Sequence, residues 1–549
     1  MINDSKTKPD SKTRLFYSPT HIVKADSGQG GTIYNQEAIL SDSQQHCTLE
    51  PGQSQGPSII IDFGLEIHGG VSIDVNGTLP NLSARLNIRF GESVSEVLVS
   101  PNADHAFHEF TLDFPCISKQ ELGMTGFRFV RIELIDQINS VNIRQVQAVG
   151  LERPWKYQGS FECSDPLIND IWQIGARTVH LCCQDYIFDG IKRDRMVWIG
   201  DIHPQIHVIA SAFGQQDIVN DSFKILCQQW PADTWMNRQS SYGMWWIISL
   251  WEWYWYTGDK TLLQEHADYF EKHIQLYFQH IDPQGRECLT GHRLLDWATA
   301  DDETETAEGL QTLFIWMMHN ATLIANELEM SDLSQLCTEA EHKLQKATTN
   351  QASSLQVQAL RVLAGLDDAK AINQKFLSSD PCRGLSPWFG YYVLNARALA
   401  KDYTGCLELI RTYWGDMVKL GATTFWEHFD TSWSENASRI DELPQAGKHD
   451  VHTEYGSHCF KGLRHSLCHG WSAGPTAWLS ANILGVTPAS PGFKQVSIVP
   501  NLGDLEFAQG TVPTPYGPIH VKHTKDKHGI IHTETEIPPD IQYTAGETK

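Results

Sequence analysis

Cysteine is scarce in this chain, with 12 residues in 549. That density is far below a disulfide scaffold's, and the Cys182-Cys183 neighbours are poorly placed to bridge each other, so a reduced compartment is expected. Long hydrophobic runs are missing too. The longest, Met244 to Tyr256, contains Glu252 and is too short to span a bilayer. The first residues, Met1-Ile2-Asn3-Asp4-Ser5-Lys6, open polar and develop no signal-peptide core, which makes the cytoplasm the expected location. Cations are in deficit: 42 Lys and Arg face 66 Asp and Glu, a net charge of −24. Phosphate backbones and anionic bilayers recruit clustered cations, so neither nucleic acid nor a membrane is an expected partner. A homodimer is left open. Tryptophan is absent from the first 150 residues and the last 70, all 18 falling between Trp155 and Trp478. Such shifts mark boundaries, and three regions are expected: 1–155, 156–484 and 485–549.

The first region reads as strands. Residues 58–63, 70–75 and 84–90 are short, β-branched or alternating, with turn signals such as Asn76-Gly77 between them, and 127–133 alternates as a half-buried strand does. Many short strands favour a β-sandwich. The polar stretch before Thr13 is expected to fray. From about Phe161 the period becomes helical, with Ser164 as the expected N-cap and Asp165-Pro166 in the first turn. Further helices are expected at 262–280, 308–330, 333–347, 354–366, 391–401 and 406–417. The helical block is expected to be a toroid or solenoid, and the absence of a visible fixed-period repeat disfavours a standard repeat array. Strands return after Leu484, at 493–500 and 517–523.

Chemistry concentrates in two segments. Residues 188–201 place Asp189, Asp194 and Asp201 with Lys192, Arg193 and Arg195 between apolar flanks. Charges held near an interior must be paired. The second segment, 421–430, sets Glu427 and Asp430 among aromatics. Two carboxylates from distant parts of one chain are what glycoside hydrolysis needs: one protonates the departing oxygen, and the other activates water or attacks the sugar. His203 and His207 have the i,i+4 spacing of helical zinc ligands, but no acidic third ligand or cysteine pair accompanies them, and no metal is expected. His520, His523, His528 and His532 read as surface residues. No phosphate-binding Gly-x-x-x-x-Gly-Lys loop and no Gly-x-Ser-x-Gly elbow occurs.

The run from Asp189 through Asp201 resembles the Asp-x-x-x-x-Asp-Glu-Arg-x-Gly-Trp-x-Gly-Asp signature of bacterial α-L-rhamnosidases, glycoside hydrolase family 78. Matching stretches follow in family order: Phe161 to Trp172, Asp296-Trp297, Gly421-Ala422-Thr423-Thr424-x-Trp426-Glu427, His469 to Pro475, and Pro491-Gly492-Phe493 leading into Val499-Pro500. Three differences stand out. The signature glutamate is Asp194 here, Val197 replaces the glycine before the tryptophan, and the motif is one residue shorter between its outer aspartates. Family members with this Lys-Arg-Asp-Arg form are the most similar. The resemblance implies a multidomain α+β protein, a six-hairpin (α/α)6 barrel flanked by an N-terminal β-sandwich and a small C-terminal β-domain.

It further implies an inverting α-L-rhamnosidase without cofactor, acting on terminal α-L-rhamnosyl residues of small glycosides or oligosaccharides. Asp194 is the implied general acid and Glu427 the implied general base. Asp189, Arg193, Trp198, Asp201, Trp246, Asp296, Trp297 and His469 are the implied sugar contacts. The Glu-to-Asp change keeps a non-catalytic sugar-binding relative in view, beside a six-hairpin glycosidase for another sugar.

Overall fold

Glycine placement decides how the N-terminal sheet is built. The computed structural model describes residues 11–41, 45–99 and 108–545; the leading stretch expected to fray lies, as far as residue 10, outside them. Instead of two short strands parted by turns, Ser58–Leu79 runs as one long strand. Its register shifts between Asp62 and Ile67 and between Gly69 and Val71, beside Gly64 and Gly69 at φ 81° and 153°. A Cβ on Gly69 would stand 2.0 Å from the Val149 carbonyl oxygen, so only glycine lets the strands approach there. The glycines therefore bend the strand rather than end it. Its first part pairs with His21–Asp26, its second with Ser140–Glu152, and both with Ser118–Leu134. The result is a nine-stranded sheet closed over Ile59, Ile61, Ile73, Leu86, Phe127 and Ile132.

The helical block forms six hairpins, each an outer helix followed by an inner one. The outer helices include Pro166–Cys182, Lys260–Phe278 and Tyr403–Lys419. The inner ring runs Ile199–Phe213, Tyr242–Thr257, Glu303–Glu327, Leu355–Leu363, Pro387–Leu399 and Gly474–Trp478, each packed on the next and the last back on the first. The first helix is capped one residue later than expected, by the Asp165 side chain accepting from the Leu167 N–H at 2.9 Å with Pro166 in the first turn. Three long helices, Ile199–Phe213, Asp217–Gln229 and Tyr242–Thr257, and the short ones Val94–Leu98, Ala369–Ile372 and Gly474–Trp478 escaped the sequence reading. The first and third are buried almost all round and carry little periodicity. Trp172, Trp245, Trp253, Trp388, Trp414 and Trp478 are fully buried, so most tryptophans serve the core.

Strands Gln495–Ile498, Phe507–Val512, Ile519–Lys525 and Ile531–Glu536 build the C-terminal region. Ser160–Cys163, which precedes the barrel, pairs with Phe507–Val512, which follows it. His520, His528 and His532 are exposed as expected, but His523 is fully buried and bonded to the Leu484 carbonyl at 3.0 Å. Its position alternates inward on Ile519–Lys525. All 12 cysteines are free. Among the described residues no helix is long and apolar enough to cross a membrane.

Candidate functional site

The charged loop before Ile199–Phe213 is fixed from both sides. Asp189 closes it, its N–H donating to the Met196 carbonyl at 3.1 Å and its Oδ1 accepting from the Met196 N–H at 2.9 Å. Asp194 and Arg195 turn the chain in the left-handed region, at φ 52° and 51°, a conformation costing about 1–2 kcal/mol per non-glycine residue. The N-terminal sheet supports that turn. The Gly126 N–H donates to the Ile191 carbonyl at 2.9 Å, Arg195 donates to the Met124 carbonyl, and the Lys192 ammonium is buried against Glu96 at 2.8 Å and Glu92 at 3.5 Å.

Glu427 comes from the far side of the sequence. Its N–H donates to the Ser466 carbonyl at 2.9 Å, and its Oε2 accepts from the Ser466 N–H at 3.2 Å. Arg193 donates to both its carboxylate oxygens, and the Cys459 thiol lies 3.6 Å from Oε1. Burial alone would raise the Glu427 carboxyl, but the charges of Arg193, His469 and His465 outweigh it and hold the group at about 2. Asp189 shows the opposite balance: burial, with Asp201 nearby, pushes it up to about 8 despite His469. Burial also raises Asp201, whose Oδ1 lies 2.9 Å from His469 Nε2. Burial would lower His469, yet Glu427 and Asp201 lift it above the usual imidazole value. Asp194 keeps its carboxylate 30% exposed, 3.4 Å from Arg193 and 3.8 Å from Arg464.

These groups line one narrow cleft of about 70 Å³ at the N-terminal ends of the inner helices. Eight of the ten expected site residues meet there: Asp189, Arg193, Asp194, Trp198, Asp201, Trp297, Glu427 and His469. Two do not. Trp246 is fully buried among His266, Tyr269 and His273, because it faces outward from the inner ring to the next outer helix. Asp296 is buried behind Trp297, where its Oδ2 accepts from Ser386 at 2.7 Å and Gln356 at 3.0 Å; burial raises it to about 6. The polar neighbours of Glu427 in the segment 421–430 point elsewhere. His428 stacks on Phe460 and Asp430 caps Thr431–Ser434. Gln239, Tyr242, Cys459 and Trp471 also line the cleft and escaped the sequence reading. Only Trp471 lay inside a quoted motif; Cys459 carries no local signal.

Comparisons with known proteins agree on this architecture. Residues 156–357 match the bacterial alpha-L-rhamnosidase six-hairpin glycosidase domain, and 485–544 match the bacterial alpha-L-rhamnosidase C-terminal domain. An alpha-L-rhamnosidase of Formosa agariphila is 23% identical over 474 residues, 76% of this chain and 46% of that protein. One of Alteromonas sp. is 32% identical over 118 residues, 21% of this chain and 10% of that protein. The chain thus spans half or less of these relatives' length. Among solved structures, the family 78 rhamnosidase of Bacillus sp. GL1 superposes with a TM-score of 0.76 at 22% identity, over 93% of this chain and 55% of that one. The rhamnosidase of Klebsiella oxytoca, solved with rhamnose bound, gives 0.69 at 20% identity over 86% and 96%. Two stretches of the chain thus match, in order, the two characteristic domains of bacterial α-L-rhamnosidases, and the fold is that of the family 78 structures.

Proposed function

We propose that the protein is an inverting α-L-rhamnosidase that removes terminal α-L-rhamnosyl residues from small glycosides or oligosaccharides. The observation that carries this reading is the meeting of Asp194 and Glu427 in one cleft, from segments far apart in sequence, with tryptophan faces on its walls. Glu427 takes a proton from water as the water oxygen attacks the anomeric carbon. The bond to the leaving oxygen breaks, and Asp194 supplies that oxygen's proton. A carboxylate held at about 2 is ionised at every working pH, but its pairing with Arg193 makes it a weak base. Trp198, Trp297 and Trp471 offer apolar faces to the sugar ring, while Asp201 and His469 offer hydrogen bonds to its hydroxyls.

A second assignment of the acid has its own observation. Asp189 lines the same cleft and, at about 8, carries a proton at neutral pH as a general acid must. The function is tested with 4-nitrophenyl α-L-rhamnoside beside a panel of other nitrophenyl glycosides, following the released anomer by NMR. Turnover of the rhamnoside with the β-anomer appearing first is expected. First release of the α-anomer would remove the inverting reading, and turnover only of another glycoside would move the substrate. Rhamnose binding without turnover would mark a sugar-binding relative.

A further inference from the structure

His203 and His207 lack a third ligand in the sequence around them, and the fold supplies one. The helix Tyr242–Thr257 packs against Ile199–Phe213 and brings Glu252 between the two imidazoles. Its Oε2 lies 2.9 Å from His203 Nε2 and 2.6 Å from His207 Nε2. These donor atoms converge within 4.8 Å of one another. His203 is turned by a second contact, its Nδ1 lying 2.9 Å from the Tyr392 hydroxyl, which leaves Nε2 for the shared point. A partner of this kind on the second ring nitrogen is what fixes a metal-binding imidazole. His207 and Glu252 also line a cavity of about 610 Å³ at the C-terminal ends of the inner helices, walled by Trp255, Trp316, Tyr391 and Phe493. The three donors are therefore backed by protein on one side and reachable on the other.

We propose that His203, His207 and Glu252 bind a divalent transition-metal ion of the zinc type, at the opposite end of the barrel from the carboxylate cleft. Two imidazoles and one carboxylate form a donor set of open zinc sites, in which the remaining position is left to water or an added ligand. Calcium and magnesium prefer all-oxygen shells and are excluded by the two nitrogens. Loading releases the protons that the imidazoles share with Glu252, so binding weakens in acid. The other convergence of metal-type donors among the described residues, Glu92, Glu96 and His452, differs: the Lys192 ammonium sits there and serves as its cation.

The ion would join two neighbouring inner helices, so its effect is read as binding and stability rather than turnover. Chelator-treated protein is titrated with Zn²⁺ by calorimetry, then with Co²⁺ while the visible spectrum is followed. One Zn²⁺ per chain is expected, with a higher Tm and a cobalt ligand-field band. Glu252→Gln keeps the side chain's size and should weaken binding about 100-fold or more; His207→Ala, on the cavity wall, should do the same. Glu92→Gln should leave the Zn²⁺ isotherm unchanged. Absence of saturable Zn²⁺ binding, or wild-type isotherms in both Glu252→Gln and His207→Ala, would overturn the proposal. Should either variant melt early without metal, the cobalt band of the other decides.

Discussion

The two ends of the barrel are built from the same six inner helices and differ in nearly everything else. At the N-terminal ends, long connections bring Asp189, Asp194, Asp201 and Glu427 together with Arg193 and His469. Free backbone N–H groups and the positive ends of helix dipoles face that side, a setting that favours carboxylates. At the C-terminal ends, side chains of the helices together with Phe493 and its neighbours in the C-terminal region wall an aromatic cavity, and the acidic group lining it, Glu252, is matched by two imidazoles. Burial alone would raise Glu252, but His203 and His207 hold it well below the usual carboxylate range. The contrast shows how one ring of helices presents unlike groups at its two ends. Loops carry the chemistry because they vary without disturbing the ring.

The sharpest way to break the comparison is at the base. Glu427→Gln should lower kcat by about 10³-fold or more, even on activated nitrophenyl glycosides, because attack by water is needed whatever the leaving group. Added azide should restore turnover as a β-glycosyl azide, and near-wild-type kcat would remove Glu427 from the role. Next comes the acid. Asp194→Asn should cost about 10²-fold on a poor leaving group and clearly less on nitrophenol. If Asp189→Asn shows that leaving-group dependence and Asp194→Asn does not, the acid is Asp189.

Trp246 sharpens the distinction between cleft and core. Trp246→Ala should destabilise the fold by about 3–5 kcal/mol through the cavity it leaves, while KM in the surviving folded protein stays near wild type. A large KM change without loss of stability would return Trp246 to the sugar site. The last expected effect is a gain. An aspartate titrates near 3.8 when unfolded, and Asp189 titrates at about 8 in the folded chain. The folded state therefore retains a proton that the unfolded chain releases. Stability should fall as pH rises between those values, by up to about 1.4 kcal/mol per unit. Asp189→Asn removes that penalty, and its Tm advantage over wild type should grow from pH 5 to pH 8; a constant difference would contradict the raised value.

Much of the site was legible because its residues lie in two dense segments. The loop 188–201 and the stretch 421–430 stand out by charge among aromatics, and both reach the cleft. Trp246 and Asp296 lie outside those segments and came only from the family resemblance; which face a side chain takes depends on packing between neighbouring helices. The same limit hid Glu252, whose relation to His203 and His207 exists only once two helices lie side by side. The buried inner helices were missed because residues apolar on all sides carry no period to read. In the N-terminal sheet the glycines were read as turns, whereas Gly64 and Gly69 bend a continuous strand.

The strand pair that joins Ser160–Cys163 to Phe507–Val512 bears on how the chain is made. Glu162 and Gln509 meet although they are 347 positions apart in sequence. A ribosome adding roughly 5–20 residues per second spends tens of seconds between the two partners. During that interval the first strand has no mate, and the inner ring lacks its closing helix, Gly474–Trp478. Hairpins can form one by one as they emerge, since their contacts are local, but circular closure waits for the last sixth of the chain. Chains stalled before Phe507 should therefore be the species most exposed to proteases and chaperones.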